Sequence, residues 1–154
     1  MKIDEILKRE SVIAELLGNN KVDVIKEMTQ CLKENNFIKN DQALFETLME
    51  REKLGSTGIG ENVAIPHGKS EEITQIITVL ARSKNGVEFE SLDKKPVHFV
   101  CMVIAPANST GQHLKVLARL SRLFKNQGLR EEILKAGNSD SIYSILTNED
   151  SKFI

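Results

Sequence analysis

No apolar stretch of about 18 or more residues occurs in this chain, and a bilayer-spanning helix needs about 20. A membrane transporter is therefore excluded for the chain by itself, although it could still serve one. The N-terminus, Met1-Lys2-Ile3-Asp4-Glu5, carries no signal-peptide pattern. Cysteine is scarce: Cys31 and Cys101 both sit among apolar neighbours. Two such thiols make no disulfide framework. They are expected to be buried and free, and with no export signal this fits the cytoplasm. An excess of either charge is lacking too, since 21 basic and 22 acidic residues, interspersed, leave a net charge of −1. That balance argues against a nucleic-acid surface. Repeats, low-complexity tracts and linkers are missing as well.

What is there is ordinary for one globular domain covering residues 1–154, at 40% hydrophobic and 28% charged. Ile3, Ile6 and Leu7 predict a short opening helix, and residues 12–17 read as a strand closed by Gly18-Asn19-Asn20. Asn20 is placed to cap a helix ending near Asn35-Asn36, with Val24, Ile25, Met28, Cys31 and Leu32 at helical spacing. Asn40 or Asp41 caps a second helix with apolar face Leu44, Phe45, Leu48 and Met49. Arg51 falls near its C-terminal end, where a cation suits the dipole. Residues 73–81 predict a buried strand, Gly86 a turn, and residues 87–90 an edge strand. Residues 97–105 contain one polar member, His98, and suit a central strand covered on both faces. Ser109 and Gln112 have capping-box spacing ahead of a helix expected to bury Leu114, Leu117, Ala118, Ser121 and Phe124. Gly128 breaks it, and a further helix runs to about Lys135. Ser139 or Asp140 caps the last, with Ile142, Ile145 and Leu146 inside. Strands mixed with helices make an α/β fold, a central sheet covered by helices.

Chemistry gathers in residues 51–69, which hold four of the nine glycines. Gly58 and Gly60 could bring backbone N–H groups around an anion. Ser56, Thr57, Arg51 and Lys69 supply further phosphate-holding groups. Pro66 and Gly68 flank His67, presenting its imidazole at the end of a short extended segment. Two familiar glycine motifs fail here. The dinucleotide fingerprint begins at Gly58-Ile59-Gly60 but has Val63 in place of its third glycine. A P-loop ending at Gly68-Lys69-Ser70 would need its first glycine at Val63 too. Of the other histidines, His113 opens a helix whose free N–H groups favour anions. His98 shares a strand face with Val100, Met102 and Ile104 and reads as structural. A zinc pair of His98 with Cys101 is disfavoured, because an offset of three on a strand points the two to opposite faces.

The run Leu54-Gly55-Ser56-Thr57-Gly58-Ile59-Gly60, followed by Ala64-Ile65-Pro66-His67-Gly68-Lys69, resembles a known signature. It is that of the fructose/mannitol class of enzyme IIA domains of the bacterial phosphoenolpyruvate-dependent phosphotransferase system, which includes the nitrogen-regulatory enzyme IIA. The resemblance continues through Asp93-Lys94-Lys95-Pro96-Val97-His98, Ala105-Pro106, His113-Leu114 and Leu120-Ser121-Arg122-Leu123. It implies a mixed sheet flanked on both sides by helices. It implies that His67 carries a phosphoryl group, with His113 close by and Arg51 near the site. The donor would be the carrier protein HPr or a paralogue, and the acceptor a cysteine of enzyme IIB, with no metal or cofactor. Imidazole suits such a transfer, because its neutral nitrogen is a nucleophile near neutral pH. The protein then has mainly to position the group and balance its charge.

Two other readings compete. One is a regulatory protein whose phosphorylation at His67 selects its partner without moving sugar. The other is a DNA-binding protein, since residues 117–135 superficially read as helix, turn, helix. Neutral charge and the lack of a basic recognition face weigh against the latter.

Overall fold

The computed structural model describes residues 2–109 and 111–152. Its elements run as a 3-10 turn (Ile3–Glu5), β1 (Leu7–Ile13), α1 (Lys21–Glu34), α2 (Asp41–Lys53), β2 (Gly58–Gly60), β3 (Val63–Ala64), β4 (His67–Ser70), β5 (Ile77–Val87), β6 (Val97–Pro106), α3 (Gln112–Phe124), α4 (Gln127–Lys135) and α5 (Ser139–Asp150). The strands form one mixed six-stranded sheet in the order β1-β5-β6-β3-β2, with β4 also paired to β6. β1 runs parallel to β5 and β5 antiparallel to β6, while β3 and β4 both run parallel to β6.

β6 is the central strand that its continuous apolar run implies. Phe99, Cys101, Val103 and Ala105 join a core with β1 and with Val116, Leu120 and Phe124 of α3, Ile133 of α4 and Ile142 of α5. Val100, Met102 and Ile104 face the opposite side, where Val24, Ile25, Met28 and Leu32 of α1 and Leu44 and Leu48 of α2 cover them. Each large aliphatic side chain so buried contributes about 1.5–3 kcal/mol relative to exposure. The sheet is therefore flanked by helices on both faces.

Four helices begin on an asparagine whose side chain accepts a backbone N–H from the first turn: Asn20 for α1, Asn40 for α2, Asn126 for α4 and Asn138 for α5. The last cap thus precedes the expected Ser139 by one residue. Gly128 lies within the first turn of α4, so the break before that helix comes at Lys125-Asn126 instead. The Ser109–Gln112 capping box does not form. α3 begins after Gly111 with no side-chain cap, and Thr110 lies outside the described residues.

Three other expectations shift. The first strand covers Leu7–Ile13 rather than residues 12–17: as an edge strand it keeps Lys8, Arg9 and Glu10 in solvent, which hides it from an apolar-run search. Leu17, inside the expected strand, is 91% exposed. Ile73 and Ile76 are buried in the approach to β5, which starts at Ile77 and continues to Val87 through a register shift between Arg82 and Val87. No separate edge strand occupies residues 87–90. Finally, α3 buries Val116, Leu120, Leu123 and Phe124, leaving Leu114 and Ala118 exposed and Leu117 and Ser121 half-buried.

Candidate functional site

β3 and β4 are one strand interrupted at Ile65-Pro66. Val63 lies opposite Phe99 and His67 opposite Val103, at the same offset, so the break leaves the register unchanged. Pro66 has no N–H to give the ladder, though its carbonyl still accepts from Val103 N at 2.9 Å. Ile65 is turned away from β6, its N–H donating to the Thr57 carbonyl at 3.0 Å. Its own carbonyl stands 2.9 Å from Nδ1 of His67. A carbonyl can only accept, so Nδ1 carries a proton, and in the neutral ring Nε2 keeps its lone pair. The sequence presents a histidine; the fold fixes its tautomer.

His67 is half-buried and borders two adjoining depressions. The larger, about 330 Å3, runs from Arg51, Ser56, Thr57 and Ile59 across to Leu117, Ala118 and Ser121 of α3. The smaller, about 200 Å3, is closed by Arg51, Lys69 and His113, with Thr47 and Val103 behind. Residues from α2, β4 and α3 that are far apart in the chain thus share one surface hollow. Arg51, in the last turn of α2, donates from Nη1 to the Gly55 carbonyl at 2.9 Å, which holds the guanidinium beside the hollow. Nδ1 of His113 is buried and has no hydrogen-bond partner among the described residues. Leaving a buried polar group unpaired costs about 1–3 kcal/mol unless a further partner satisfies it. Lys69 Nζ donates to the Ser109 carbonyl at 2.8 Å.

The remaining candidates divide. Ser56 and Thr57 border the larger depression, with both hydroxyl hydrogens donated within the protein: Ser56 Oγ to the Phe89 carbonyl at 3.0 Å, Thr57 Oγ1 to Glu52 Oε2 at 2.6 Å. Gly58 and Gly60 line neither depression. A Cβ on Gly58 would meet Ser91 Oγ at 2.1 Å, so that glycine is required for close packing. Its N–H donates to Ser56 Oγ at 3.1 Å. Gly60 adopts φ +90°, a left-handed turn ahead of β3. His98 lies away from the hollow, its Nδ1 2.8 Å from the Ser83 carbonyl. Cys101 is on the other face of β6.

Sequence reasoning missed two contributions. Ala118 and Ser121, expected in the core, wall the hollow together with Leu117, which also packs against the core, because α3 is rotated so that the row through Val116 and Leu120 faces the sheet. Glu52 is the other, buried against Lys21 and Thr57. An acid in the last turn of a helix opposes the dipole, and that misplacement was the available signal.

The chain matches the model of the family described as "Phosphoenolpyruvate-dependent sugar phosphotransferase system, EIIA 2" over residues 5–149. It is 37% identical over 150 residues to the fructose-specific EIIABC component of the phosphotransferase system of Bacillus subtilis (strain 168). That match takes in 97% of this chain but 24% of the relative, so the chain spans about a quarter of that protein's length. It is 36% identical over 146 residues to the nitrogen regulatory protein of Bradyrhizobium diazoefficiens, covering 95% of each. Among solved structures, nitrogen regulatory protein IIA-Ntr from Neisseria meningitidis superposes with a TM-score of 0.86 at 33% identity, over 94% of this chain and 99% of that one. The mannitol enzyme IIA of Escherichia coli, solved in complex with phosphorylated enzyme IIB, gives a TM-score of 0.78 over 93% and 99%. At 19% identity it shares the fold.

Proposed function

The chain belongs to the EIIA 2 family of the phosphoenolpyruvate-dependent sugar phosphotransferase system, and from that premise we propose that it is a phosphoryl carrier with His67 as acceptor. The donor is the phosphohistidine of HPr or a paralogous carrier, and the onward acceptor is a cysteine of enzyme IIB, in the cytoplasm. The Nε2 lone pair attacks phosphorus as the donor's P–N bond breaks, and the donor imidazole leaves. In the second half the cysteine thiolate attacks, the P–N bond at Nε2 breaks and a P–S bond forms. Nδ1 keeps its proton throughout. The observation that carries this reading is the bond from Nδ1 to the Ile65 carbonyl, which leaves Nε2 as the one ring nitrogen free for chemistry. Arg51 and His113 share the hollow with it and supply donors for phosphoryl oxygens; such charge-assisted bonds are short and strong. Ser56 and Thr57 border the hollow, while Gly58 and Gly60 act from behind it, by close packing against Ser91 and by the turn ahead of β3.

Incubation with phosphoenolpyruvate, enzyme I and HPr should give an acid-labile, base-stable phosphoryl adduct on the wild type and none on His67→Ala. Equal labelling of both would overturn the assignment. A second reading is favoured by the match to IIA-Ntr over 99% of that chain. In it, phosphorylation of His67 controls binding to regulatory partners and no sugar moves. Mixing the phosphorylated protein with a fructose-type enzyme IIB separates the two: rapid loss of label supports transport, and retention supports regulation.

A further inference from the structure

Behind the hollow lies a buried ion pair that the transfer itself does not use. Lys21 Nζ is 3.2 Å from Glu52 Oε1, with side chains 8% and 2% exposed. Burying two charges is offset only by good geometry and further hydrogen bonds, and here those bonds lead towards the imidazole. The Glu52 carboxylate also accepts from Thr57 N at 3.1 Å and Thr57 Oγ1 at 2.6 Å. Lys21 is held in turn by Glu90 at 3.3 Å and lies over the Phe89 ring, 5.3 Å from its centroid. The Thr57 carbonyl receives the Ile65 N–H, and the Ile65 carbonyl receives Nδ1 of His67. One ion pair, followed by hydrogen bonds through Thr57 and Ile65, thus joins the start of α1 to the ring.

We propose that Lys21 and Glu52 are positioning residues for His67, fixing through Thr57 and Ile65 the carbonyl that holds the Nδ1 proton and so keeping the Nε2 lone pair turned to the hollow. The consequence for transfer rests on the reading of His67 as phosphoryl acceptor, whereas the consequence for the tautomer does not. An acid at the unfavourable end of α2 then has a reason to be there. Its charge holds the 54–60 loop against β3 rather than contacting phosphate.

The test uses 15N-labelled full-length protein, with His67 ring resonances identified by their loss in His67→Ala. Wild type should show a protonated Nδ1 and an unprotonated Nε2. Glu52→Gln and Thr57→Val should mix the two tautomers and slow phosphoryl uptake from phospho-HPr roughly tenfold, the loss of about one hydrogen bond. Thr57→Ser, which keeps the hydroxyl, should restore both. If Glu52→Gln does not fold, Thr57→Val and the paired Lys21→Met/Glu52→Gln variant, which buries no lone charge, carry the same test. Wild-type ring shifts in folded Thr57→Val would overturn the proposal even if uptake were slowed. If wild type accepts no phosphoryl group at all, the carrier reading fails while the ring spectra still decide the positioning.

Discussion

His113 and Arg51 reach the hollow beside His67 from separate helices, so each can be removed without touching the nucleophile. One charge-assisted hydrogen bond is worth about 1.5–3 kcal/mol. His113→Ala should therefore slow transfer by roughly 10- to 150-fold if its bond to the phosphoryl group exists only in the transition state. If the bond is equally strong in the phosphorylated protein, the loss appears as a less favourable phosphorylation equilibrium. Rate and equilibrium both matching wild type would return His113 to an ordinary helix-start residue. Arg51→Gln should likewise slow transfer in both directions without unfolding the protein, which stopped-flow uptake and discharge would read. His98 is the internal control. Its bond to the Ser83 carbonyl ties β6 to β5, and His98→Gln should lower the melting temperature by about 2–4 °C while phosphate acceptance stays intact. A folded His98→Gln protein that cannot be labelled would contradict this.

Among the elements, α2 is secured at its start by a distant carboxylate. Glu72, after β4, accepts the N–H groups of Lys39 at 2.8 Å and Asn40 at 3.1 Å, and these bonds hold its carboxyl below the usual carboxylate range. The charged form is thus favoured by folding. Its contribution is complete above the unfolded carboxyl value of about 4.3 and is lost as pH falls through the lower folded value. The melting-temperature gap between wild type and Glu72→Gln should accordingly shrink between about pH 6 and pH 3. Parallel melting curves across that range would refute the linkage. The elements also differ in how plainly the sequence announces them. β6 is legible because a strand covered on both faces must be apolar throughout. α1 and α2 are legible from an asparagine and a period of about 3.6. β1 is not, because its charged side chains face water and its pairing with β5 depends on residues about 70 positions away. The outward row of α3 could not be told from its inward one, since both are apolar and only the partner sheet chooses between them. In the site, His67 was readable from its glycine and proline surroundings. The pairing of Lys21 with Glu52 was not, because burial is decided by the tertiary fold.

Across the whole molecule, the two thiols report on the two sides of the sheet. Cys101 is sealed in the core beneath α3 to α5, where burial pushes its thiol far up. Cys31 is half-buried on α1 and raised by burial and by the nearby Glu34. A thiol reagent at neutral pH should modify Cys31 slowly and reach Cys101 only at the rate of unfolding. Fast labelling of both in the native protein would contradict that packing. The interrupted strand β3–β4 bears on how the gene can change. Its two halves keep one offset against β6, so His67 shares the side of the sheet occupied by Val103, while Gly68 abuts Leu48 of α2 on the other. Adding or deleting a single codon between Val63 and His67 would reverse that alternation. The imidazole would then be driven into the aliphatic layer under α2, and glycine would take its place at the surface. Across descendants of this chain, spelling in those positions can drift, but the count of residues between Val63 and His67 cannot.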